Sequence, residues 1–183
     1  LAREASIKLA VLSTRNKNKA LMEIAKSIKN NSKSIMNENK KDIEAAEKSN
    51  LNKSLINRLK IDEIKINEIV EEIKSVARLE DPVGKTLSQM ELDKGLMLYQ
   101  VTCPIGVIAA IFESRPDAVT QISALCIKSG NAVILKGGSE ALNSNRILAK
   151  IISETGEANG MPKWAVQLIE TREQAGEMLK MHD

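Results

Sequence analysis

Apolar residues in the first 79 positions recur at helical spacing and nowhere alternate like a strand. LAREASIKLAVLS puts Leu1, Ala5, Leu9 and Leu12 on one stripe, and KALMEIAKSIKN repeats it with Leu21, Ile24, Ala25 and Ile28. SIMNENKKDIEAAE follows, with Ser34 as its predicted N-cap, then SLINRLK. DEIKINEIVEEIKSVARL closes the series with Ile64, Ile66, Ile69, Val70, Ile73 and Val76. Lysines and glutamates interleave on the remaining positions, the composition of a solvated helix face. At EDPVGKT, proline and glycine end the helical pattern. TLSQMEL and LMLYQVT, separated by Asp93–Gly95, predict a β-hairpin.

After Pro104 the pattern reads βαβαβα. GVIAAIF, NAVILK and WAVQLIE are predicted strands, the first of them buried. PDAVTQISALCIKSG, opened by Pro116 and stopped by Gly130, SEALNSNRILAKIISETGEANG and TREQAGEMLKM are predicted helices. Strands without alternation, joined by helices, imply a parallel sheet covered on both faces. The expectation is an α/β chain: a helical layer over 1–79, a hairpin over 80–103, and a partial, doubly wound nucleotide-binding sheet over 104–183, together making one incomplete domain. The absent initiator methionine and the stop after a third helix suggest a piece of a longer protein.

Composition narrows this picture only slightly. With 43% hydrophobic and 28% charged residues the chain is ordinary globular material, and a net charge of +3 without a basic block argues against a dedicated nucleic-acid binder. The longest apolar run, VIAAIF, is too short to cross a bilayer, and charges punctuate the N-terminus where a signal peptide would be apolar. A cytoplasmic location with no membrane partner is the expectation. Cys103 and Cys126 have neither metal-site nor disulfide spacing. Cys126, in ALCIK, reads as core; Cys103, before Pro104, has no histidine nearby in sequence to activate it. His182, the only histidine, is given no catalytic role.

In open parallel sheets, ligands sit at the carboxyl ends of the strands, and two of these ends carry chemistry. One is FESRPD and the other LKGGSE. Lys136 leaves its strand where an ammonium could reach a ribose hydroxyl or phosphate. Gly137 and Gly138 would bare the backbone to a ligand, and Ser139 would cap a helix whose free N–H groups favour an anion. A plain βα turn with a solvated lysine fits the same spacing, and no GxGxxG fingerprint is present. Arg115 either clamps a carboxylate or acyl phosphate or holds its own turn through Glu113 or Asp117.

The strings PIGVIAAIFESRP and ALCIKSGNAVILKGGSEA closely resemble the γ-glutamyl phosphate reductases (glutamate-5-semialdehyde dehydrogenases) of the aldehyde dehydrogenase superfamily. NENKKDIEAAEKSNLNKSLINRL and LEDPVGKT agree, so the resemblance covers essentially the whole chain. It implies reduction of γ-glutamyl phosphate by NADPH to glutamate 5-semialdehyde with release of phosphate, in proline biosynthesis, through a cysteine thiolate that forms a thioester. It implies that Lys136 holds the adenosine ribose or its 2′-phosphate. Ser139 stands where NAD-preferring relatives place a glutamate, which favours NADPH, with Gly137 and Gly138 completing the turn. The backbone of Phe112, Glu113 and Ser114 would run beside the cofactor. Arg115 stands where ordinary aldehyde dehydrogenases put an oxyanion-binding asparagine, and an arginine suits an acyl phosphate. Residues 85–102 resemble the superfamily's oligomerisation arm, implying a homo-oligomer. The family's nucleophile lies beyond residue 183, and neither Cys103 nor Cys126 matches it, so these residues alone should be catalytically inactive. Another acyl-phosphate or acyl-CoA reductase, or a nonenzymatic nucleotide-binding or assembly module, is the rival reading.

Overall fold

The computed structural model describes residues 1–180. His182, and Met181 at the end of the third predicted crossover helix, lie outside the described residues. Five helices come first: α1 (Ala2–Ala10), α2 (Thr14–Asn30), α3 (Ser32–Lys48), α4 (Lys53–Leu59) and α5 (Glu63–Arg78). The hairpin strands β1 (Thr86–Asp93) and β2 (Leu96–Val101) follow. Then β3 (Val107–Ile111), α6 (Asp117–Lys128), β4 (Ala132–Lys136), a short 3-10 turn (Ser139–Ala141), α7 (Leu142–Ala158), β5 (Val166–Ile169) and α8 (Arg172–Met178) alternate to the end.

The sheet is parallel in the order β3-β4-β5, with Ala109 opposite Ile134 and Ile134 opposite Gln167. Parallel pairing needs a crossover, and α6 and α7 supply it. One main core joins the elements: Leu21, Ile24 and Ile28 of α2 and Ile66, Ile69 and Ile73 of α5 meet Val133 and Leu135 of β4 and Leu148 and Ile152 of α7. On the other face, the start of α1 and Met178 of α8 line a groove over Val107, Ala109, Ile134 and Gln167. Among the described residues no helix is long and apolar enough to cross a membrane.

Four local expectations change. Ser34 lies inside α3, whose N-cap is Asn31, because α2 runs almost directly into α3 with one residue between them. GVIAAIF is half-exposed among the described residues, with Ile111 at 57% exposure, because β3 pairs there with β4 alone. Leu12 falls beyond the end of α1. Ile64 is exposed because it precedes Ile66 by two residues, about 200° around the helix from the buried stripe.

Buried charge fixes the junction between helices and hairpin. Lys17, 1% exposed, meets Asp81 at 2.6 Å, and Thr14 donates to the same carboxylate at 2.7 Å. Lys128 of α6 donates to Asn18 at 2.7 Å and to the Ala77 carbonyl at 2.9 Å. Burial pulls the Lys128 pKa below the ordinary lysine range; Asp81 opposes that pull and Lys17 adds to it. The loop around Asp81 closes onto Thr102, whose hydroxyl donates to the Pro82 carbonyl at 2.6 Å. Beyond that clasp, every residue of β1 and β2 is exposed, including Leu87, Met90, Leu98 and Tyr99.

Candidate functional site

Both chemically loaded strand ends sit at the carboxyl edge of the sheet, on adjacent strands. The ladder continues past β3 as the Phe112 amide donates to the Lys136 carbonyl at 3.0 Å, which sets FESRP beside LKGGSE. Ser114 is buried with φ +51°, a left-handed conformation that a residue with a side chain holds only under tertiary constraint. That constraint comes from Glu140, whose Oε1 accepts from both the Ser114 amide and the Ser114 hydroxyl, the latter at 2.9 Å. One carboxylate thus ties the two turns together. It lies 26 residues from Ser114 in sequence, and no local pattern gave it a role.

The Lys136 side chain is buried and donates to the carbonyl of Gly137. The protein's own side chains crowd both glycines: a Cβ at Gly137 would collide with the buried Asn145 amide and press the Phe112 ring, and one at Gly138 would displace the carboxylate end of Glu140. Neither glycine adopts positive φ. Beside Gly137, the Asn145 side chain is buried and its Oδ1 has no hydrogen-bond partner among the described residues.

Ser139 does not cap α7. Exposed Ser139 opens the 3-10 turn, and no side-chain cap from it is formed. The cap comes from α3: buried Asp42 accepts from the Asn143 amide at 3.1 Å, the Asn143 side chain at 2.8 Å, the Ser144 amide at 2.8 Å and the Ser144 hydroxyl at 2.6 Å. The anion that a helix N-terminus favours is therefore internal, and those N–H groups are spoken for. Asn39, one turn earlier on α3, joins this set by donating to Ser144 Oγ at 2.9 Å and to the Leu59 carbonyl at 2.7 Å, and by accepting from the Ile61 amide at 2.8 Å. Sequence reasoning missed both residues, which lie about a hundred positions from the helix they fasten.

Arg115 is exposed. Its Nη2 contacts Asp117 at 3.2 Å, one of the ion pairs expected for a turn-holding arginine, and Gln121 at 3.4 Å. Glu113 is exposed and takes no part in that pair. Asp117, buried in the first turn of α6, also receives Lys65 of α5 at 3.3 Å. Burial pulls the Lys65 pKa down, but Asp117 and Glu68 outweigh it and hold the ammonium above the ordinary lysine range. Burial pushes the Cys126 thiol up to about 11, which leaves it a weak nucleophile; Cys103 is exposed.

A sequence model of the aldehyde dehydrogenase family matches residues 2–183. The chain belongs to the aldehyde dehydrogenase family. Among curated proteins, it is 56% identical over 97% of its length to the γ-glutamyl phosphate reductase of Ruminiclostridium cellulolyticum, of which it covers 41%. Among solved structures, it superposes on the γ-glutamyl phosphate reductase of Thermotoga maritima with a TM-score of 0.95 at 36% identity, covering 98% of this chain and 44% of that one. The Saccharomyces cerevisiae γ-glutamyl phosphate reductase gives 0.89 at 45% identity, covering 93% and 45%. The chain thus spans about two fifths of the length of the curated relatives it matches. Within this aldehyde dehydrogenase-type fold, the edge built by Phe112–Arg115 and Lys136–Ser139 is the candidate site.

Proposed function

We propose that this chain is the cofactor-binding part of an NADPH-dependent γ-glutamyl phosphate reductase, which converts γ-glutamyl phosphate to glutamate 5-semialdehyde with release of phosphate in proline biosynthesis. The observation that carries the reading is the 56% identity to a γ-glutamyl phosphate reductase along nearly the whole chain. When bound, NADPH would supply the hydride that reduces the acyl group. The residues at the sheet edge fit such a ligand. Lys136 has spent one of its three ammonium donors, on its own turn, and Ser139 brings no negative charge to oppose a 2′-phosphate. The unpartnered Asn145 Oδ1 beside the turn is an acceptor suited to a hydroxyl donor. Phe112, Glu113 and Ser114 would present the adjoining backbone, and Arg115 would address the acyl phosphate from the substrate side.

The nucleophile is assigned to neither cysteine here: Cys126 is buried with a raised pKa, and no histidine stands among the described residues to activate Cys103. The exposed apolar residues of the hairpin over 85–102 would pair copies of the chain. Titration calorimetry with NADPH and NADH tests the central claim. Tighter binding of NADPH is expected, with a loss of about 10- to 100-fold in Lys136→Ala, the worth of one hydrogen-bonded charge on a phosphate. Equal affinity in Lys136→Ala, or a preference for NADH, would remove Lys136 from the site.

A further inference from the structure

Arg115 does not stand alone. It forms one wall of a recess of about 560 Å³ whose other lining residues are Asn57 and Arg58 of α4, Lys60 just beyond it, Lys65 of α5 and Asp117 of α6. Two stretches distant in sequence, 57–65 and 115–117, therefore deliver four cations around a single buried carboxylate. Outside the lining, Lys60 has only Asp62 at 3.7 Å and Lys65 has Glu68 at 3.3 Å. No carboxylate of the described residues lies within ion-pair distance of Arg58. The contacts of Lys65 and Arg115 with Asp117 converge on one oxygen, Oδ2. Arg115 uses only Nη2, so Nη1 and Nε remain for a two-pronged contact with an oxyanion. Like charges gathered in a concave site repel one another, and the same arrangement focuses the field on an incoming anion. The volume is that of a small-molecule site.

We propose that Arg58, Lys60 and Lys65 join Arg115 as a phosphoryl-binding subsite, which receives the phosphoryl group of an acyl phosphate and holds orthophosphate once it has left. Arg115 of the recess directly follows Ser114, which Glu140 ties to the Lys136 turn, so an acyl group anchored here would extend toward the proposed cofactor edge. This deepens the proposed function and rests on it for the identity of the acyl phosphate, whereas the preference for an anion rests on the recess itself. Asp117 gives the subsite its shape: it holds Lys65 and Arg115 in place while leaving the net charge of the lining positive.

The test is calorimetry of this chain with inorganic phosphate and with acetyl phosphate at constant ionic strength, against chloride. Saturable binding is expected, weakened about tenfold or more in Arg58→Ala/Lys60→Ala, since charge-assisted contacts carry it. Arg58→Lys should fall between, keeping the charge without the fork. Both side chains are exposed, so circular dichroism should match the parent. NADPH affinity should stay within about twofold in these variants, while Lys136→Ala should lose NADPH and keep phosphate. Absent phosphate binding, equal binding in the double variant, or a parallel loss of NADPH would overturn the subsite. Failure of the Lys136 arm alone would instead strike the cofactor reading.

Discussion

Replacing Asp42 with alanine should lower the melting temperature by roughly 6–12 °C, the equivalent of about 3 kcal/mol in a chain of this size. The carboxylate is 3% exposed and accepts four hydrogen bonds from Asn143 and Ser144. Alanine at an N-cap costs about 1 kcal/mol by itself, and each buried donor left without an acceptor adds about 1–3 kcal/mol. Water cannot readily take over, because Ser144 is fully buried. Loss of the clasp also frees the start of α7 from α3, and with it the turn that places Lys136. NADPH affinity should therefore fall together with stability. Asp42→Asn retains one acceptor oxygen and should lose less of both. A melting-temperature change below about 2 °C in Asp42→Ala would show that the clasp is dispensable.

The second large effect is expected at Asp81. Asp81→Leu leaves Lys17 as an unpaired cation at 1% exposure, and breaking a buried pair in this way costs about 3–5 kcal/mol. Lys128 would lose the one carboxylate that offsets its burial. The double replacement Lys17→Met/Asp81→Leu should recover most of the loss, since an apolar pair of similar volume removes both desolvation costs. The pH dependence follows from sign. Burial pushes the Asp81 pKa up, but Lys17, the Thr14 hydroxyl and the Val83 amide outweigh it and hold the carboxyl below the ordinary value of 3.8. A group depressed on folding stabilises fully above its unfolded pKa and loses that contribution as pH falls through its folded pKa. Asp81 should therefore help hold the parent at neutral pH, its contribution fading as pH falls below 3.8 and lost once pH passes the lower folded pKa; the double variant should lack this component. Urea denaturation at pH 7 and pH 3 reads both effects. An Asp81→Leu single variant as stable as the parent at pH 7 would refute the pairing.

The sequence disclosed what depends on neighbours along the chain and concealed what depends on neighbours across it. The hairpin, three parallel strands and their helices follow from periodicity, because a 3.6-residue or unbroken apolar pattern is a local property. Thr171 and Gln174 even form a reciprocal cap readable from four adjacent residues. The exposure of GVIAAIF among the described residues was not legible, because composition does not tell a strand with one pairing partner from a strand with two. At the site, Lys136 and Arg115 were legible as charges at strand ends. Glu140, Asn39 and Asp42 were not, since each bonds to residues 20 to about a hundred positions away. Ser139 illustrates the error that follows: a serine ahead of a helix is a sound cap signal, yet a distant aspartate had already taken the donors.

The placement of α1 has a consequence in time. Residues 2–10, which form α1, pack on β3 and β4, strands made about a hundred residues later. At translation speeds of roughly 5–20 residues per second, that segment waits several seconds for its partner. Meanwhile α2 can already settle on α5, which needs only the first 78 residues. α1 is thus made well ahead of its partners and docks only after the sheet it flanks has been synthesised.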